Sequence, residues 1–208
     1  MSWSEVTVLV TGALLLLLWW LWVAASRLDR LHRKVGASRA ALDTQLVRRA
    51  SAAAELAASG LLDPVSSVLV GEASWAALSA GEHGRAELVE ALPGVPVGAP
   101  SGPDARVERE LAESELSRTL RAALADRAEV AALVADPLGE ALVGALSEAW
   151  YRVQLARRFH NEAVAQTQRM RGKILVRLLR LHGRARMPHT VEIDDAWPQA
   201  LARPGEVT

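Results

Sequence analysis

The sequence predicts an all-α protein: an N-terminal transmembrane helix that continues into an antiparallel four-helix bundle with long helices. Three observations carry this expectation. Residues 6–25 contain no charged side chain, apolar residues recur at helical spacing through most of the chain beyond them, and no segment alternates like a half-buried strand. At 208 residues the chain has room for one domain and an anchor but not for a second sizeable core. The expected boundaries are an external N-terminus at 1–5, the span at 6–25, a cytoplasmic helical bundle at 26–181 with a flexible loop at 93–103, and an irregular C-terminal tail at 182–208.

The span comes first. About 20 apolar residues rising about 1.5 Å each match the roughly 30 Å hydrocarbon core of a bilayer. Trp19, Trp20 and Trp22 crowd its C-terminal end and Trp3 precedes its start, as suits amphipathic rings seated at the two interfaces. A cleaved signal peptide would need a basic leading segment and an apolar stretch of about 7 to 15 residues. Here Glu5 precedes the run without any lysine or arginine, and only Ala24, Ala25 and Ser26 suit a cleavage site, so the segment reads as an uncleaved anchor. Arg27, Arg30, Arg33 and Lys34 come directly after it, and basic flanks stay in the cytoplasm. The expected location is the bacterial inner membrane, single-pass, with the N-terminus outside and the C-terminal domain cytoplasmic. Two lysines against many arginines, with abundant Ala, Leu, Val and Gly, fit a GC-rich bacterial genome.

Beyond the membrane, Leu28, Leu31, Val35, Leu42, Leu46, Ala50 and Ala53 keep helical spacing, so the first helix is expected to run to about Ser59 and stop at Gly60. Asp63 followed by Pro64 reads as an N-cap and first helical position. The second helix carries Val65, Val68, Leu69, Trp75 and Leu78, and either breaks at Gly81 to Gly84 or continues to Leu92. Pro93 to Pro103 is rich in helix breakers and reads as a loop. A third helix is expected from Asp104 through Leu111, Leu116, Leu120, Leu124, Val130 and Leu133, ending before Pro137. The last is expected from Pro137 to Leu181, with Leu142, Leu146, Val153, Ala156, Phe159, Ala163, Met170, Ile174 and Leu178 facing inward.

Two segments carry a resemblance. Leu42-Asp43-Thr44-Gln45-Leu46-Val47-Arg48-Arg49 is similar to a signature of the LemA family of bacterial membrane-anchored helical proteins, and Ala156-Arg157-Arg158-Phe159-His160-Asn161-Glu162-Ala163-Val164 resembles a second one. His160 stands where that family usually has tyrosine, alanine-rich residues replace a Pro-Asn-Leu after the first signature, and the usual Phe-Pro ending is absent, as in a diverged branch. The resemblance implies an anchored four-helix bundle with its N-terminus outside, and no settled biochemical activity. Asp43, Gln45, Arg48 and Arg49, facing Arg157 and Asn161 on an antiparallel helix, would form a polar cluster that fixes helix register or holds a ligand.

Composition excludes much chemistry. With no cysteine there are no disulfides, thiolate nucleophiles or cysteine metal sites. The histidines lack the spacing that places two metal ligands on one helix face, and no nucleophile elbow or phosphate loop is present, so no catalytic, cofactor or metal site is expected. Arg109 to Glu115 resembles the core of a Nudix box without its flanking glycines, and reads as a solvated helix face. With 24 basic and 24 acidic residues the chain is formally neutral, and nucleic acid is not an expected partner.

The charges are unevenly placed. Arg152 to Arg186 carries ten basic residues against Glu162 alone. Within it Met170, Ile174, Leu178 and Leu181 form an apolar stripe beside a basic one of Lys173, Arg177, Arg180 and Arg184, a pattern suited to an anionic membrane surface. Descending in step along two antiparallel helices puts Arg27 level with about Arg169. The leading functional expectation is a non-enzymatic, membrane-anchored scaffold whose partners are the lipid bilayer and a membrane or cytoplasmic protein. The second is a lipid-organising or membrane-shaping protein that acts on anionic lipids through the basic helix. The third is a Nudix-like hydrolase.

Overall fold

The structure, a computed structural model, describes residues 3–90, 103–179 and 187–204. Every regular element among them is a helix: α1 Trp3–Ala58, α2 Pro64–Glu90, α3 Pro103–Ala123, α4 Arg127–Ala135, α5 Pro137–Arg171 and α6 Ile174–Leu178. Residues 93–102 of the expected loop, and Arg180, Leu181 and Arg184, lie outside the described residues. The first half of α1 is long and apolar enough to cross a membrane. Its side chains stand largely exposed, with Val8 at 71 % and Leu16 at 67 %.

The helix boundaries reflect local chemistry. At the end of α1, Gly60 takes a φ of +74°, a left-handed conformation that glycine adopts without a Cβ clash. Asp63 then caps α2 by accepting from the backbone N–H groups of Val65 at 3.0 Å and Ser66 at 3.1 Å, and its bonds to Ser66 and Val65 hold its carboxyl below the usual range. α2 does not break at Gly81 to Gly84; it continues to Glu90.

The expected third helix is two helices. Asp126 accepts from Ala128 N–H at 2.7 Å and starts α4, because a short carboxylate at that position competes with the continuing helix for backbone donors. Asp136 repeats the device with Leu138 N–H at 2.8 Å and Gly139 N–H at 3.1 Å, and the chain bends by 119° into α5. The corner is tight. A Cβ built on Gly139 would lie 2.0 Å from the Leu133 carbonyl oxygen. The expected last helix is also divided: α5 ends at Arg171, and Gly172 and Lys173 turn the chain into α6.

The described residues fall into two compact units, each with contributions from α1 and α5. The first comprises residues 1–39 and 159–190, with Ala24, Leu28, Ala163, Val164 and Val176 buried. The second comprises residues 40–158 and 191–208. Its core joins Ala50, Ala53 and Leu56 of α1, Val70, Ala73 and Ala77 of α2, Leu116 and Leu120 of α3, Leu124 just past its end, Val130 and Leu133 of α4, and Leu146 and Trp150 of α5. α2 packs against α3 with its small residues. Of the larger apolar residues that mark it in the sequence, Leu78 packs against the core but the other four face outward: Val65, Val68 and Leu69 are more than half exposed and Trp75 is 73 % exposed. Val107, Leu111, Phe159, Ile174 and Leu178, expected inside, are exposed as well.

Residues 187–204 are irregular but not loose. Val191, Ile193 and Leu201 are buried, the first two with Leu42, Leu46 and Val153 in a second apolar cluster.

Candidate functional site

The polar residues of the second unit concentrate on α1, α3 and α5. α3 presents Arg109, Glu113 and Ser117 at four-residue steps, on the flank that also carries Leu116, Leu120 and Leu124, so helical geometry sends them into the core. Arg49 of α1 meets them there: its guanidinium donates to Ser117 Oγ at 2.8 Å, to the Glu113 carbonyl at 3.0 Å and to Glu113 Oε2 at 2.8 Å. The same group lies 5.2 Å from the ring centroid of Trp150 on α5, a cation–π contact inside the protein. One step along, Arg109 pairs with Asp43 Oδ1 at 3.1 Å.

Two acids and two arginines thus neutralise one another. Arg49 and Ser117 are fully buried, and Arg109 and Glu113 are nearly so. Burial pushes the Glu113 carboxyl above its usual range, while the Arg49 guanidinium beside it pulls the other way. Each carboxylate is taken by an arginine, and a substrate could reach Glu113 only if the helices parted.

A second set of polar contacts straps the tail down. Arg157 grips Asp195 through Nε at 2.8 Å and Nη2 at 2.9 Å. The Asp195 carbonyl accepts from Trp150 Nε1 at 3.1 Å and from Gln154 Nε2 at 2.6 Å. Arg121 holds both carboxylate oxygens of Asp194 and keeps that carboxyl below the usual range. Ser114 Oγ accepts the Asp194 N–H at 3.0 Å. Trp197 completes the strap, its ring 6.3 Å from that of Trp150.

Of the six residues expected to cluster, the structure brings two into the buried network. Asp43 and Arg49 are in the buried network, but their partners come from α3. Arg157 turns to the tail, Asn161 belongs to the other unit, Gln45 is half-buried, and Arg48 is exposed. The reading of Arg109 to Glu115 as a solvated face is corrected: Arg109 and Glu113 are core residues, because the helix turns that edge toward α1. Among the described residues no group of three or more His, Asp or Glu side chains could hold a metal ion.

The first unit holds the membrane-facing candidates. Trp19 and Trp22 are exposed by 64 % and 68 %, and Trp20 borders a groove of about 610 Å³ near the end of the apolar stretch. Arg27 lines this groove together with Met170 and Lys173, in agreement with the level expected from counting residues. Arg177 is exposed on α6. Comparison of the chain with protein-family models, curated proteins and solved structures returned no match.

Proposed function

We propose that the chain is a non-enzymatic, membrane-anchored helical scaffold of the bacterial inner membrane, N-terminus outside and domain in the cytoplasm, and a diverged relative of the LemA family. The observation that carries the interaction role is the outward face of α2. Val65, Val68, Leu69 and Trp75 succeed one another at helical spacing, all exposed, while the same helix buries Val70, Ala73, Ser74, Ala77 and Gly81. An exposed apolar stripe of this kind on a domain outside the span is what a protein partner would cover. The sealed, charge-balanced network at Arg49 and Glu113 supports a structural role for the polar residues. α1, α2, α3 and α5 all feed one core, which supports the antiparallel four-helix arrangement within the second unit.

Photocrosslinking in the intact membrane tests this. A photoreactive residue at Val68 or Trp75 should give discrete protein adducts, and one at exposed Arg118 or Glu148 should not. Equal yields from all four positions would remove the α2 face as the interaction surface.

A second reading has its own observation. Arg169, Lys173 and Arg177 are exposed near Ile174 and Leu178, which are 80 % and 74 % exposed, so the α5 to α6 corner offers cations and aliphatic side chains together. That combination favours an anionic bilayer surface.

A further inference from the structure

The groove in the first unit combines features that neither a scaffold nor a charged surface requires. Its walls are apolar: Val23 and Ala24 from α1, Met170 from α5, and Ile174 and Val176 from α6. Two cations, Arg27 and Lys173, stand at it, and among the described residues no acid lines it. The first acid after the span, Asp29, is engaged by Arg33. The corner that forms the far wall is fixed by backbone bonds, with Gly172 N–H on the Gln168 carbonyl at 2.9 Å and Arg177 N–H on the Lys173 carbonyl at 3.0 Å.

Depth along α1 decides what such a groove meets. Trp20 lies at the end of the apolar stretch, where indole rings seat at the interface, and Arg27 is seven residues further, about 10 Å along the axis. The apolar walls therefore fall at the acyl boundary and the cations at headgroup level. About 610 Å³ is within the range of small-ligand sites, and holds a chain segment rather than a protein element.

We propose that this groove is a binding site for one anionic phospholipid, its phosphodiester held by Arg27 and Lys173 and an acyl chain laid along Val23, Ala24, Met170 and Ile174. The inference rests on α1 being a membrane anchor. It goes beyond general attraction to a charged surface, because it specifies a stoichiometric site with two named cations and an apolar floor.

Native mass spectrometry of the full chain, released from micelles carrying phosphatidylglycerol or phosphatidylcholine, reads the site directly. One phosphatidylglycerol per chain should be retained in preference to phosphatidylcholine. The preference should fall by about thirtyfold in Arg27→Gln/Lys173→Gln, the scale expected for two interfacial cations. Ala24→Phe, which fills the floor, should abolish retention with both cations intact, and Arg118→Gln/Arg152→Gln, at exposed cations of the second unit, should retain lipid like the parent. Circular dichroism on each variant confirms that helicity is unchanged, and inorganic phosphate should not displace the lipid. Equal retention of the two lipids, retention by Ala24→Phe, equal loss in the Arg118/Arg152 pair, or displacement by phosphate alone would each overturn the proposal. Carbonate extraction of membranes reports separately on the anchor. A chain that stays inserted yet retains no lipid refutes the groove and leaves the scaffold reading standing.

Discussion

Arg49 shows how a single side chain organises the second unit. It has no exposed surface, and its charge is met by Glu113, Ser117 and the face of Trp150. Removing one partner of a buried pair strands the other, at a cost of about 3 to 5 kcal/mol, whereas replacing both by apolar residues can be close to neutral. Arg49→Met should therefore destabilise the protein by about that amount, and Arg49→Met/Glu113→Leu should recover most of it, read as the midpoint of denaturant unfolding in detergent. Additive losses would show that the two side chains do not act as a pair. Asp194 gives a pH test. Arg121 lowers its carboxyl in the folded protein, so its stabilising contribution is fully present above the ordinary carboxylate range and is lost as pH falls from that range through the lowered folded value. Glu113, shifted upward, has the opposite sign: its titration weakens stability as pH rises between the usual value and the raised one. Asp194→Asn should therefore be less stable than the parent at neutral pH, and the gap should close on acidification below about pH 4. A gap constant with pH would contradict the Arg121 pairing.

At the scale of elements, the sequence was informative where apolar spacing and capping chemistry agree. The long apolar N-terminal helix, the stop at Gly60 and the Asp63–Pro64 start of α2 were all legible in this way. Periodicity misplaced most of α2, because it marks Val65, Val68, Leu69 and Trp75 while α2 buries Val70 and a set of small residues that let its backbone approach α3. The break at Asp126 was signalled only by a capping carboxylate inside an apolar pattern, and the pattern hid it. The buried network was missed for a related reason. Arg109 and Glu113 look like an exposed charge pair until Leu116, Leu120 and Leu124 are seen to share their flank. The α4 to α5 corner yields a prediction at this scale. Gly139→Ala would push a Cβ against the Leu133 carbonyl, which is backbone and cannot rotate away, so thermal unfolding should shift down by several degrees for the whole second unit. An unchanged midpoint would mean that the corner opens freely.

For the whole molecule, the tail is the part least visible in the sequence. Residues 187–204 have no regular structure, yet Ile193, Asp195 and Leu201 are buried and Trp197 packs against Trp150. Aspartates after a basic helix are only charge balance on paper; their partners Arg121 and Arg157 are set by three-dimensional packing. Deleting residues 191–208 should expose Trp150 and lower stability, seen as a red shift in tryptophan emission at the same detergent concentration. An unshifted spectrum would place the tail outside the core. The proposed scaffold and the proposed lipid site both require a single N-terminal span that holds the helical domain on the cytoplasmic side, and substituted-cysteine labelling tests that requirement most directly because the chain has no cysteine of its own. A membrane-impermeant maleimide applied to intact spheroplasts should label Ser4→Cys at once, and Arg118→Cys only after the membrane is permeabilised. Labelling of Arg118→Cys in intact spheroplasts, or recovery of both variants in the soluble fraction, would contradict this topology.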